Sequence, residues 1–597
     1  MKRNSLIIGV FATTALFSAC NDDDFLTEKP KTLYTVDNAF EKSTQVNAAL
    51  TTVYNDFKQL HGYHVGNRYF ALEDFASNLL QGVGTDCLDG DGQAAHAADS
   101  YCNWLSLNPD INYYNYLWND LYKMAADANL VLYGSTLVNW TSESDRNNAE
   151  SQAKFFLGWA YLRLGECFGG VPIVEEYTEE LKFDYERTTR DAVYAFAIKN
   201  LEDAIAGLPE YPSEKGRVAK GAASHYLAEA YLAQGVELND NSYFSKAAQA
   251  AQNTINLHPL MTERFGTRAN PADKGTSNGV ANYKPEGNVY FDLFQRGNYS
   301  YNEGNTESLL IIPTPTYEQY QTTGVLPYAL GLVVYAPLRD AMYSDAYKEE
   351  GAAGGPWSSN ILLEGGAQTP YLGGSGWGMV GSNDYMDDVV WENQFAVDMR
   401  NEQVNRINPV ILDSKHSLYG QVATKEMLRD PAMLMRISAK VSFPDYWGFE
   451  PYRNHFGGGW VMQFRDWHAC RSAETYLLLA EAQLRGGDAA TAAKTLNVVR
   501  DRANAEYKYS TVDIYDILAE RARELSWEEQ RWPTLLRMGS SKDGKNEVMK
   551  HQLETYSQMS YDLGMKTPAP EWTLFPIPTT VINLNSGATL EQNPGWN

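Results

Sequence analysis

The sequence predicts a mostly α-helical protein. Stacked helical hairpins form a scaffold, and a large irregular, loop-rich insertion containing short strands interrupts it. Three observations predict this. Between Arg471 and Arg502, apolar residues recur at helical spacing on both sides of the break Gly486-Gly487-Asp488. The register of the first of those helices, Ala473-x2-Tyr476-Leu477-x2-Ala480, returns as Ala223-x2-Tyr226-Leu227-x2-Ala230 and as Ala153-x2-Phe156-Leu157-x2-Ala160. From Phe265 to Phe464 helical periodicity fades, and Gly, Asn, Pro and Ser become frequent.

In chain order, residues 1–20 read as an export leader. Lys2 and Arg3 make a basic start, and Leu6 to Leu16 is an apolar run too short to span a bilayer. Leu16-Phe17-Ser18-Ala19-Cys20 resembles a lipoprotein cleavage site, with Phe17 a departure from the usual residue; acylated Cys20 would anchor the chain in a membrane. A tether and N-terminal segment fills 21–45, opening with the acidic run Asn21-Asp22-Asp23-Asp24, and helices are expected over Val36–Leu60 and Tyr69–Leu80. The helical scaffold, 46–264, contains a Gly- and Asp-rich loop at 81–110 followed by a helix over Tyr113–Tyr133. Ala153 and Ala223 lie 70 residues apart, close to twice the roughly 34-residue tetratricopeptide period. Each repeat precedes a second alanine-rich helix, at Asp191–Leu208, Ser242–Leu257 and Asp488–Ala503, as expected of tetratricopeptide-like pairs. The irregular region, 265–465, interrupts the pairs, which resume over 466–548. A single helix is expected across Val512–Met538, with Arg521, Arg523, Glu524, Glu528, Glu529 and Arg531 as a solvated face of internal ion pairs. The last segment, 549–597, sets apolar residues between prolines and is expected to dock on the body.

A formal charge of −26, or −28 without Lys2 and Arg3, disfavours nucleic acid and polyanionic ligands. The excess of aromatics, 39 Tyr and 14 Trp, suits surfaces that are apolar on one side and wet on the other. Beyond Cys20 four cysteines remain: a Cys87–Cys102 disulfide is one option in an oxidising setting, whereas Cys167 and Cys470 fall on helical patterns as buried thiols. Thr85 to Gly92 clusters Asp86, Asp89 and Asp91 around glycines. That is either a calcium loop lacking the full EF-hand pattern or a solvated acidic turn.

Several segments together resemble the SusD-like (RagB/SusD) outer-membrane nutrient-binding lipoproteins. They are Cys20 with FLTEKP, FFLGWAYLRLGECFGGVPIV at 155–174, RSAETYLLLAEA at 471–482, ERARELSWEEQRWPTLLRMG at 520–539, LFPIP at 574–578 and QNPGWN at 592–597. The resemblance implies four tetratricopeptide-like pairs carrying an irregular ligand-binding region, and no catalytic activity; no cofactor is expected apart from the calcium considered for the acidic loop. It also implies a lipid-anchored protein facing the cell exterior, with a SusC-like TonB-dependent outer-membrane transporter as partner. The cargo would be glycan, or peptide as the alternative. In starch-binding relatives the sugar lies against aromatics of the loop after the first helices and of the central insertion. Here those regions supply Tyr101, Asn103 and Trp104, and then Trp357, Tyr371, Trp377, Asp384, Tyr385 and Trp391. Trp104 is the leading choice. Trp377, flanked by Gly376 and Gly378, has little beside it to pack against. The competing account of each ring is a local core under the loops. A glycosidase would need two placed carboxylates. Asp384, Asp387, Asp388 and Glu392 offer candidates, but among 75 acidic residues such pairs arise freely, and HExxH and P-loop patterns are lacking.

Overall fold

The structure is a computed structural model. It describes residues 39–65, 80, 85–90, 107–277, 280–281, 283–316, 319, 322–323, 327–329, 342–352, 380–408, 410–411, 413–429, 434, 436–440, 465–557 and 571–596.

Its frame is a run of paired helices: α1 (Ser43–Gln59), α2 (Asn112–Leu137), α3 (Glu143–Phe168), α4 (Arg190–Gly207), α5 (Lys220–Leu238), α6 (Asn241–Leu257), α7 (Ser472–Arg485) and α8 (Ala489–Arg502). Each packs on the next in chain order, and α6 packs on α7 although more than 200 residues of chain separate them. The three repeats found in the sequence are the first helices α3, α5 and α7 of successive hairpins. Their alanines and glycines permit close approach. A Cβ at Gly158 would come 2.9 Å from the Leu201 side chain, and one at Gly235 would come 2.6 Å from the Phe244 ring. The turns are made locally. Asn239 adopts a left-handed conformation (φ 52°) after α5, while Asp240 and Asp488 accept backbone N–H groups at the starts of α6 and α8.

The expected first helix is interrupted at Phe40–Lys42, between helical Ala39 and α1, with Val36–Asn38 outside the described residues, and Tyr69–Leu80 lies, except for Leu80, outside them too. The expected single helix over Val512–Met538 is broken into α9 (Ile514–Glu524) and α10 (Arg531–Leu536). Between them Trp527 takes φ 66° and buries its ring in the core. Then α11 (Glu547–Tyr556) and α12 (Thr579–Leu584) precede the terminal segment. That segment docks on the frame as expected. Phe575 N donates to Cys167 O (2.8 Å), Asn593 Nδ2 to Phe168 O (2.9 Å), and Trp596 stacks on Trp572.

The irregular region is stitched to the frame by short antiparallel pairs. Ser308–Ile312 pairs with Trp467–Arg471 and closes its base, Tyr63–Val65 pairs with Pro327–Ala329, and Leu88–Gly90 pairs with Val380–Ser382. Among the described residues its own apolar cores are two small clusters, one of Tyr343, Ile407, Ile411, Ala423 and Leu428 and one of Tyr290, Leu293, Phe294, Tyr299 and Ile311. Cys87, Cys167 and Cys470 are buried free thiols, so the disulfide considered for Cys87 is not formed. Among the described residues, no helix is long and apolar enough to cross a membrane.

Candidate functional site

The two loops expected to carry ligand-binding side chains are joined at their described ends. Register is fixed by the pairs Leu88↔Ser382, Asp89↔Gly381 and Gly90↔Val380. The chain leaves this ribbon at Gly90 toward Tyr101, Asn103 and Trp104, and enters it at Val380 from Trp357, Tyr371 and Trp377. All six of those residues lie outside the described residues, as do Cys20 and Asp91.

The ribbon rests on a buried polar anchor. Asp86, fully buried, receives Nε (2.8 Å) and Nη2 (2.5 Å) of Arg531 and Nε2 of Gln552 (2.8 Å). A bidentate guanidinium supplies direction as well as charge. Asn383 ties the second strand to the first. Its backbone N donates to Cys87 O (3.0 Å), its amide donates to Asp86 O (2.7 Å) and Tyr556 O (3.2 Å), and its Oδ1 caps the one-turn helix Asp384–Asp387. Asp86, considered above as a calcium ligand, therefore serves as the counter-ion of Arg531. Among the described residues no group of three or more His, Cys, Asp or Glu side chains is placed to hold a metal ion.

Of the nine ligand-binding candidates, three are described. Tyr385 is buried; its ring stacks on Tyr556 with centroids 4.1 Å apart, and its hydroxyl faces Gln552 (3.4 Å). Trp391 is buried too: Nε1 donates to Met386 O (3.0 Å), and the Arg406 guanidinium lies 4.6 Å from the ring centre. Both rings are packed inward as the platform beneath the loops, with partners on the faces a ligand would use. Asp384 is 49% exposed at the rim, 2.6 Å from Lys425 Nζ. Lys425 (3.5 Å) and Arg436 (3.4 Å) also reach Asp388. This half-exposed cluster of polar groups beside the ribbon can offer hydrogen bonds to a hydroxylated ligand.

Sequence reasoning missed the ion network under the platform. The supposed solvated face of α9 is buried, and so are its partners. Glu520 contacts Arg400 (2.7 Å), Arg500 (2.8 Å) and Arg523 (2.6 Å). Glu524 contacts Arg471 (2.6 Å), Arg400 (2.9 Å) and Arg502. Glu528 contacts Arg471 (2.7 Å) and Lys440, and Glu529 contacts Arg521 (2.5 Å) and Arg531 (3.0 Å). Burial pushes these carboxyls up, but the facing cations outweigh it, holding Glu520 and Glu528 at about 2 and Glu524 lower still. Burial lowers Lys440 to about 8 despite Glu528. The network joins the irregular region (Asp398, Arg400, Lys440) to the frame (Arg471, Arg500, Arg502). A second, separate run of pairs, Arg521–Glu529–Arg531, ends at Asp86, under the ribbon. One signal was available: between Lys508 and Lys542 every cation is Arg, the residue suited to buried, multiply hydrogen-bonded ion pairs.

The inner face of a hairpin solenoid commonly forms a binding surface. Here the first helices instead grip the chain's own segment 520–541. Arg163 of α3 donates to Gln530 (2.7 Å), Glu237 of α5 accepts from Ser541 N (2.8 Å), and Glu481 of α7 pairs with Arg537 (2.9 Å).

Comparisons with known proteins agree with this architecture. A family model described as the SusD family matches residues 463–596, and one described as starch-binding, associating with the outer membrane, matches 24–232. SusD-like protein P2 of Formosa agariphila is 24% identical over 273 residues, 45% of this chain and 49% of that protein. SusD-like protein P25 of the same organism is 24% identical over 246 residues, 39% of this chain and 43% of that protein. The match thus spans less than half the length of either curated relative. Among solved structures, a laminarin binding SusD-like protein superposes with TM-score 0.59 at 20% identity, covering 93% of this chain and 100% of that one. Surface glycan-binding protein A from Bacteroides thetaiotaomicron in complex with laminarihexaose gives 0.60 at 18% identity, covering 92% and 99%. At such identities these likenesses establish the fold.

Proposed function

Because the chain belongs to the SusD-like family, we propose that it is a non-catalytic surface lipoprotein that captures glycan and hands it to a SusC-like TonB-dependent outer-membrane transporter. In this reading Cys20 carries the lipid anchor. The observation that carries the reading is the pairing of Leu88–Gly90 with Val380–Ser382, which sets the described ends of both aromatic-bearing loops side by side on an ion-anchored platform. Ligand contact then falls to Tyr101, Asn103 and Trp104 from one loop and to Trp357, Tyr371 and Trp377 from the other. Asp384 lies at the rim, while Tyr385 and Trp391 support from below. Sugar rings stack on aromatic faces, and neighbouring polar groups fix orientation, so loops on a rigid frame suit this task.

Laminarin is the first ligand to try, since two of the solved structures are described with laminarin or laminarihexaose. Affinity electrophoresis against a polysaccharide panel tests the proposal. At least one glycan should retard the wild type, and Trp104→Ala should abolish or strongly weaken that retardation. Binding of peptides with no glycan retarding the chain would overturn the glycan reading, and release of shorter sugars would overturn the non-catalytic one.

A further inference from the structure

We propose that the loop 171–188, with the neighbouring end of α12, is the surface by which the chain docks on an outer-membrane protein partner. The inference rests on the transporter reading above and names the face involved.

The segment is an Ω-shaped loop closed at its neck. Thr188 donates from N (3.2 Å) and from Oγ1 (2.7 Å) to Val171 O, and Arg187 Nε donates to Gly170 O (2.6 Å). Compact loops of this kind are frequently functional. Both legs are held. The outbound leg lies along α2, where Tyr122 Oη donates to Pro172 O (2.6 Å), Asn129 Nδ2 donates to Val174 O (2.9 Å), and Tyr177 stacks on Tyr133. The return leg is fixed to the terminal segment: Gly587 N donates to Phe183 O (2.7 Å), and the Asn585 side chain bonds both Tyr185 N (2.8 Å) and Tyr185 O (2.9 Å).

The tip is nevertheless apolar and outward. Leu181 is 86% exposed and Phe183 50%, and Leu584, adjoining Asn585, is 69% exposed. Grouped apolar side chains mark interaction surfaces whereas single ones are ordinary, and the bonds of Phe183 to Gly587 and of Tyr185 to Asn585 bring these three into one neighbourhood.

Two further observations select the occupant. Between residues 175 and 186 stand six exposed carboxylates against one lysine, Lys182. A second copy docking through the same patch would set acid against acid, and an anionic lipid surface would be repelled. The rim therefore fits a protein offering basic side chains around an apolar pocket. The second observation is where the chain enters the fold. A Cβ at Gly134 would come 2.6 Å from the Phe40 ring, so the N-terminal end of the described chain lies against α2, the helix whose Tyr133 stacks on Tyr177 of the outbound leg. With Cys20 acylated, the 18 residues from Asn21 to Asn38 reach at most about 60 Å. A tether of that length lets this face reach a protein partner in the same membrane.

The test recovers the full-length chain from its own outer membrane in mild detergent, with an antibody to the chain. Leu181→Asp combined with Phe183→Asp should lower co-recovered transporter at least tenfold, most steeply in high salt. Thermal unfolding and glycan retardation should stay as in wild type. Val498→Asp, at an exposed apolar position on α8, should change nothing. Leu584→Asp is the second variant should the double substitution fail to fold. Wild-type recovery of the transporter with undiminished recovery by both variants overturns the assignment of the face alone. Failure of the wild type to bring down any transporter overturns it together with the reading beneath it. Variants that keep the transporter but lose self-association in light scattering, or lose vesicle flotation, overturn it in favour of a second copy or of lipid.

Discussion

Asp86→Ala tests whether the ligand loops depend on the buried ion pair. The substitution leaves the guanidinium of Arg531, itself buried, with Glu529 (3.0 Å) as its remaining carboxylate, and strands the amide of Gln552. Removing one partner of a buried pair costs about 3–5 kcal/mol. If the whole chain unfolds in one transition, its unfolding entropy is about 1.2 kcal/mol/K, and the cost appears as a Tm lowered by about 2–4 °C. If instead the damage is local, Tm moves less and the free energy is lost from the ribbon, where amide exchange at 85–90 and 380–383 should accelerate by two orders of magnitude or more. Calorimetry and hydrogen exchange, run on the same variant, separate the two cases. In both, glycan retardation should weaken because the roots of both loops are released. Arg531→Met together with Asp86→Ala should recover part of the loss, since the pair is then absent rather than broken. An Asp86→Ala protein with wild-type Tm, wild-type exchange and full glycan affinity would refute the reasoning.

Two other substitutions probe the interior. Glu524→Gln removes the charge facing Arg471, Arg502 and Arg400 and should destabilise by about 3 kcal/mol or more, whereas Glu554→Gln, breaking a half-exposed pair with Lys550 at 3.9 Å, should stay within about 0.5 kcal/mol. Equal effects by denaturant titration would show that burial of the network carries no weight. Burial, and the Asp127 carboxylate that the protonated acid can donate to, push Asp56 up to about 7 against the opposing pull of Lys123. A carboxyl that holds its proton in the fold but loses it near pH 4 when unfolded contributes stability that declines as pH rises from about 4 to 7. Asp56→Asn should therefore exceed wild type by a wider Tm margin at pH 7 than at pH 4. His61 and His468, lowered to about 4 by burial, impose an opposite slope on both proteins, which cancels in the comparison. A margin independent of pH would rule the assignment out.

What was legible in the sequence follows from where its information is local. The Ala-aromatic-Leu-Ala register of α3, α5 and α7 is a pattern within about two turns, and the close approaches it predicts are present at Gly158 and Gly235. The docking of the last segment was legible for the same reason, with prolines and large apolar residues adjacent in the chain. The charges of α9 misled because their spacing also fits local i,i+4 pairs on a wet surface, while their real partners stand far off at Arg400, Arg471 and Arg500. Tyr385 and Trp391 misled likewise: a ring in a polar stretch reads as exposed, and only the fold reveals that Tyr556 and Arg406 cover them. Composition cannot distinguish a platform from a binding face when both use the same residues.

The placement of charge bears on how the loops stay specific. A region whose described apolar cores are two clusters of five buried residues each, one around Tyr343 and Ile411 and one around Tyr290 and Phe294, draws little orientation from burial, because hydrophobic contact is non-directional and tolerates sliding. Guanidinium–carboxylate pairs are directional, and once buried they penalise any register that leaves one charge unpaired. Arg400 and Lys440 each engage frame-side partners that no neighbouring register could supply, and Arg531 does the same for the loop at Asp86. Orientation of the irregular region is thus set beneath it, by residues that do not reach its surface. The frame and its charges can therefore fix that orientation without drawing on the side chains proposed for ligand contact.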